Sequence, residues 1–310
     1  MGAPMRRLAA VFVLAVVLGA CTHLRGPSAP LAREQFVAAA GLETSIAKDM
    51  AERFVVAYAD APKDGGRELA SLVTGPKLAA WVHWLGVQDR EFQGTIAGRP
   101  EIRHVAFVGE LRTGSTTGAE VALDASVNFT YRPTGQASFS RSRDLTGPLI
   151  LVQTGPVDWK VFDATRDGAL MSDGIDLFDH VAIQADGVTI RLESVFLFAP
   201  NWQFNVVVTN RSGSEIQLDT DRMGLYVKTG AKSYGRVDGV ATGSLAAIAP
   251  HTTVEGLMAF PGQTSAKGRV LSIAYRAGRR ALPPFAFPLQ GIVTLPSPAP
   301  TSPPPVPSPS

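Results

Sequence analysis

Residues 119–131 read AEVALDASVNFTY, and this stretch decides how the first half of the chain is built. Apolar and polar residues alternate along it, the two-residue period of a strand with one buried and one wet face. Its surroundings follow the same rule. Residues 102–111 (IRHVAFVGEL), 137–152 and 157–162 alternate or run apolar, and 114–118 (GSTTG) and 133–135 (PTG) have hairpin-loop composition.

Upstream of Gly98 the period changes. From Glu34 to Tyr58, apolar residues fall at Ile46, Met50, Phe54, Val55 and Tyr58, three or four apart, which predicts a helix with Thr44 or Ser45 as its cap. Pro62 biases the residue before it out of helix, so Asp60-Ala61-Pro62 is expected to end it. Two more helical stretches are expected over 67–73 and 76–85, the latter with Trp81, Trp84 and Leu85 on one face. Helices followed by antiparallel strands define an α+β layout. From residue 175 onward the chain reads as strand and turn, with strands near 188–198, 203–209, 216–218, 225–228, 254–260, 270–275 and 285–295. Short strands at this spacing predict an all-β sandwich.

Two resemblances attach to these patterns. The opening helix ending Ala57-Tyr58-Ala59, the Trp-bearing helix, the long hairpins and the closing strand DWKVFD at 158–163 are similar to the nuclear-transport-factor-like family, with its SnoaL-like and Mce-associated-like branches. That resemblance covers about 42–168 and implies a cone-shaped α+β domain. The strings FNVVVTNRSGSEIQLD (204–219), MGLYVKTG (223–230) and PHTTVEGLMAFPG (250–262) resemble the Ig-like domain of many exported bacterial lipoproteins. The expected organisation is a signal peptide at 1–20, a lipidated tether at 21–41 and a nuclear-transport-factor-like domain at 42–170. An interdomain linker at 171–185, an Ig-like sandwich at 186–295 and a Pro/Ser-rich disordered tail at 296–310 follow.

The signal peptide is read from Arg6 and Arg7, then the apolar run 8–18, too short to span a bilayer comfortably, then Leu18-Gly19-Ala20-Cys21. This resembles the lipobox of bacterial lipoproteins, which implies diacylglycerol (and palmitate) on Cys21 and a place on the outer face of the cell membrane. Cys21 is the only cysteine, so no disulfide is available to the folded part. Lys+Arg numbers 29 and Asp+Glu 27; without Arg6 and Arg7 the balance is 27 against 27. A neutral chain has no electrostatic footprint for nucleic acid. The excess of Arg over Lys, with abundant Ala, Gly and Pro, is the bias of GC-rich codons, as in actinobacterial genomes.

Chemistry-bearing residues are sparse. Enzymes of the cone-shaped family use a buried carboxylate or His as a general base, and the candidates are Asp60, His83, Asp89, His104 and Asp124, none forming an acid–base pair in sequence. No Gly-x-Ser-x-Gly and no phosphate loop occurs, and Ser244 and Ser272 have no His nearby in sequence. Asp173, Asp176, Asp179 and His180 cluster without an EF-hand spacing, so whether they take a cation stays open. Asp219 and Asp221 read as a turn. Phe54, Tyr58, Trp81, Trp84, Phe107 and Phe129 either fill the core of the cone or line it for an apolar ligand. Trp202 is expected to anchor the sandwich or an interface. The expected protein is non-enzymatic, needs no cofactor, and contacts an envelope partner. The alternatives are a carrier of a small apolar ligand and an enzyme using a cone carboxylate.

Overall fold

The computed structural model describes residues 44–113, 116–132, 137–155, 158–166, 169–198, 201–228, 234–263 and 265–293. The signal peptide, Cys21, the tether and the tail at 296–310 lie outside the described residues. The protein is mostly β-sheet with few helices.

Helix α1 spans Thr44–Asp64 and contains Pro62, so the expected stop at Asp60 does not occur. Proline removes one backbone donor near the helix end, where few further turns depend on it. The end is set instead by Gly65 and Gly66, at φ 68° and 75°, a left-handed conformation that glycine adopts without a Cβ penalty. The Gly66 N–H then closes on the Ala61 carbonyl at 2.9 Å. Helix α2 spans Arg67–Leu72. Helix α3 spans Pro76–Phe92, with proline at its start, and continues beyond the expected end at Leu85.

The first sheet holds β1 (Thr95–Ile96), β2 (Glu101–Thr113), β3 (Thr116–Tyr131), β4 (Phe139–Gln153), β5 (Trp159–Arg166) and β6 (Ala169–Leu170). Its order is β1-β3-β4-β5-β6, with β2 also on β3, and these strands pair antiparallel. The alternation in β3 works as the sequence predicts. Val121, Leu123, Ala125, Val127, Phe129 and Tyr131 are buried, while Asp124 and Asn128 occupy the opposite face. The buried residues of the helices and of this face join in one hydrophobic core.

The second half contains β7 (Ile175–Leu177), β8 (Ala182–Ala185), β9 (Val188–Phe196), β10 (Asn201–Asn210), β11 (Ile216–Leu218), β12 (Gly224–Lys228) and β13 (Tyr234–Val237). It continues with β14 (Val240–Ala241), β15 (Ala247–Ile248), β16 (Thr252–Pro261), β17 (Arg269–Ile273), β18 (Tyr275–Ala277), β19 (Arg280–Ala281) and β20 (Phe285–Pro288). One sheet runs β14-β16-β10-β9-β7, with β8 also on β9. Two four-stranded sheets, β15-β11-β18-β19 and β13-β12-β17-β20, supply the rest. A second core, which includes Trp202, Phe204, Phe260, Ile273 and Tyr275, is buried among these strands. The expected final strand over 285–295 is cut to Phe285–Pro288.

The stretch 171–185, expected as a linker, is folded. Met171–Gly174 forms a 3-10 turn, and β7 and β8 both pair with β9. Strands of three and four residues alternate too briefly to register as strands in sequence. Long-range bonds hold the turn: the Asp163 carboxylate accepts from the Ser172 N–H at 3.2 Å, and Lys77 Nζ donates to the Ser172 carbonyl at 2.8 Å.

Candidate functional site

Helix α3 is the element through which the two halves meet. Trp81 and Trp84 were expected to share one face, but they serve different neighbours. Trp81 is buried beside Phe54 and Tyr58, with ring centroids 6.4 and 5.3 Å apart. Trp84 packs on Phe196 of β9 at 5.1 Å and donates its indole N–H to Gln203 Oε1 of β10 at 3.2 Å. Residues three apart on a helix lie about 60° apart around the axis, enough to split the two rings between neighbours on either side.

Polar bonds extend this seam. His83 Nε2 lies 2.6 Å from Glu255 Oε1 on β16, and Asn205 Nδ2 donates to the same oxygen at 2.9 Å. The Ser244 N–H donates to Glu91 Oε2 at 3.2 Å, and Ser244 Oγ donates to the Glu255 carbonyl at 3.0 Å. The His83–Glu255 hydrogen bond raises the His83 pKa above its ordinary value despite partial burial. Burial pushes Glu255 upward, but hydrogen bonds from His83 and Asn205 outweigh it and leave the carboxyl below its usual range.

A second polar cluster lies beneath α3, inside the first core. Arg143 stands on β4 opposite Val127, hence on the helix-facing side of the sheet. Its guanidinium donates to the hydroxyls of Tyr58 and Tyr131 and to Gln88 Oε1, and lies over the Phe129 ring at 4.9 Å. Burial opposes its charge, but Tyr58, Tyr131 and Asp89 hold the proton on. Asp89 is 7% exposed, and its Oδ1 has no hydrogen-bond partner. Burial raises its pKa, opposed by Arg143 and a hydrogen bond with Tyr131. The cluster gathers an arginine, the two tyrosines it bonds and a carboxyl group reluctant to ionise. Gly94 makes room for it. A Cβ there would lie 2.7 Å from Asp89 Oδ1 and 3.0 Å from the Tyr131 ring.

The six aromatic residues expected in the cone fall into three situations. Phe54, Tyr58, Trp81 and Phe129 form one connected buried set, with Tyr58 edge-on to Phe129 at 5.6 Å. Phe107 packs against the core from β2 and is half-buried. Trp84 belongs to the seam. The carboxylate and histidine candidates scatter. Asp60 pairs with Lys63 on the surface, and His104 lies on exposed β2 opposite Asp124. Asp124 faces away from the helices, where Arg103 holds its carboxyl below the usual range.

Among the described residues, no group of three or more His, Cys, Asp or Glu comes together to hold a metal. Asp173 sits in the 3-10 turn, Asp176 lies on β7, and Asp179 pairs with His180 at the surface. Asp219 is buried and pairs with Arg276 at 2.8 Å, while its backbone carbonyl accepts the N–H groups of Arg222 and Met223. It pins a turn, with Asp221 outside on the exposed side.

Sequence reasoning missed Arg143, Gln88 and Glu255. For Arg143 a signal existed. The β3–β4 register places it opposite an apolar residue, but only the pairing itself fixes that register. Gln88 and Glu255 find their partners across tertiary contacts with no local trace. Compared with known proteins, the chain matches no family model and no curated protein.

Proposed function

We propose that this chain is a non-enzymatic, extracytoplasmic lipoprotein, held at the cell membrane by diacylglycerol on Cys21, that serves as a binding or scaffold module in the envelope. In this reading the helix-covered half is a nuclear-transport-factor-like cone and the second half an Ig-like sandwich. The observation that carries it is the seam. Trp84, His83 and Glu91 of α3 are engaged by Phe196, Gln203, Glu255 and Ser244, so the two halves are joined by specific contacts. Phe54, Tyr58, Trp81 and Phe129 also pack on one another, which favours a filled interior over an apolar cavity. A module of this kind presents surface rather than a reaction centre, and its specific partner is another envelope protein or a wall component.

Two measurements test this. Cys21→Ala should move the protein from the membrane to the soluble fraction and abolish palmitate labelling; a variant that stays membrane-bound overturns the anchor. Crosslinking on intact cells should recover one recurring partner. Recovery of a small molecule with no protein partner overturns the scaffold role.

The Asp89 cluster favours a second reading, in which the cone holds a small ligand or uses its carboxylate. Asp89 is the one carboxylate candidate placed inside, and one of its oxygens is unpartnered. Mass spectrometry of the purified chain under native conditions separates the two: a bound small molecule lost in Asp89→Asn supports the second reading.

A further inference from the structure

His83 and Glu255 lie on elements from different halves, α3 and β16, and they meet at the rim of the seam. The His83 side chain is 59% exposed and that of Glu255 21%, so surrounding pH reaches the pair. The charged and titratable groups around it are few. On α3, Arg90 reaches Glu255 Oε2 only at 4.0 Å. On β10, neutral Asn205 donates to the carboxylate. On β9, Glu193 adds negative potential at His83, with Arg191 beside it at 2.5 Å. Among the described residues the other cation paired with Glu255 is Arg90, whose 4.0 Å contact is too long to replace a protonated imidazole at 2.6 Å.

We infer that the His83–Glu255 pair is a pH-operated latch between the two halves, tight in mildly acid surroundings and loosened as pH rises. Protonation places a full positive charge against the carboxylate across the seam. A neutral ring keeps one N–H, so it can hold the hydrogen bond without the charge, and the latch weakens rather than breaks. The sign follows from linkage. A histidine whose pKa rises on closing favours the closed seam fully below the free imidazole value of about 6.5. That advantage disappears as pH climbs through the higher value in the closed seam. Strong acid also releases the latch, because Glu255 then takes a proton, but below its ordinary carboxyl range. Each unit by which closure raises the His83 pKa shifts the closed-to-open ratio about tenfold between the two sides.

That equality is the test. In the full chain, the His83 ring is titrated by NMR, with His104, His180 and His251 as internal references. Amide exchange, corrected for its intrinsic pH dependence, is measured at about pH 5.5 and about pH 8.5, on either side of the free imidazole value. The expected result is a His83 midpoint above 6.5, with seam amides in 83–91 and 253–257 losing protection at high pH by the factor that midpoint dictates. Amides in the centre of β3 and β4 should not change. Glu255→Gln should bring the His83 midpoint back to or below 6.5. His83→Gln, which keeps a donor without the charge, should flatten the pH response. A midpoint at or below 6.5 in the native chain overturns the latch, as does a raised midpoint with seam protection indifferent to pH. Both readings come from the native chain, so the test stands even if a variant misfolds.

Discussion

The two cores treat buried polar groups in opposite ways. In the second half, Asn210 is fully buried and fully bonded. Its Nδ2 donates to the carbonyls of Ser214, Ile248 and Ala249, and its Oδ1 accepts from the Ser212 N–H and hydroxyl. Asp219 likewise ties down a turn. In the first half, Asp89 Oδ1 and Trp81 Nε1 are buried without hydrogen-bond partners, and so is Asn205 Oδ1 on β10 beside the seam. Buried polar groups that are completely satisfied rigidify a fold; those left incomplete mark places where something else is at work. The sandwich therefore reads as support, and the helix-covered half with its seam as the part able to respond.

The comparison can be broken at several points. Trp81→Ala removes a fully buried ring from the aromatic set and should destabilise the protein by about 3–5 kcal/mol in denaturant unfolding. Followed by probes in each half, the loss should appear in both, because α3 also carries the seam; a shift confined to the first half would show the halves to be uncoupled. Asn210→Ala orphans several backbone groups at once and should cost about 1–3 kcal/mol, with no effect on the His83 titration. Gly94→Ala forces a Cβ against Asp89 and Tyr131 and should cost a similar amount, about 1–3 kcal/mol. Unlike Asn210→Ala, it should also perturb the cluster of Arg143, Tyr131 and Asp89, visible as a shifted Asp89 carboxyl resonance.

Asp89→Asn is the smallest change and the sharpest. Because burial raises the Asp89 pKa, the folded state holds its proton longer than the unfolded chain. Its contribution is most favourable below the ordinary carboxyl range and is lost as pH rises. The variant should therefore gain thermal stability relative to the native protein at neutral pH and lose that gain in acid. An unchanged difference across pH would mean that Arg143 compensates the charge fully.

Some of this was legible in sequence. The alternation of AEVALDASVNFTY predicts β3, and the same residues end up buried. The three- and four-residue spacing in the opening stretch predicts α1, although its end is decided by Gly65 and Gly66 rather than Pro62. Asp89 was among the candidates for its chemistry, but nothing distinguished it from Asp60 or Asp124. That distinction is burial, which depends on which strand face the helices cover.

The sequence by itself determined the periods: helix first, strand after, and a β-rich second half. Periods are local, set by 3.6 residues per helical turn and two per strand repeat, so they survive in one dimension. Only the tertiary structure decided that Trp81 and Trp84 part company, that Arg143 enters the first core, that 171–185 is woven into the second sheet, and that His83 meets Glu255. Each depends on contacts between residues far apart in the chain, fixed by packing and register.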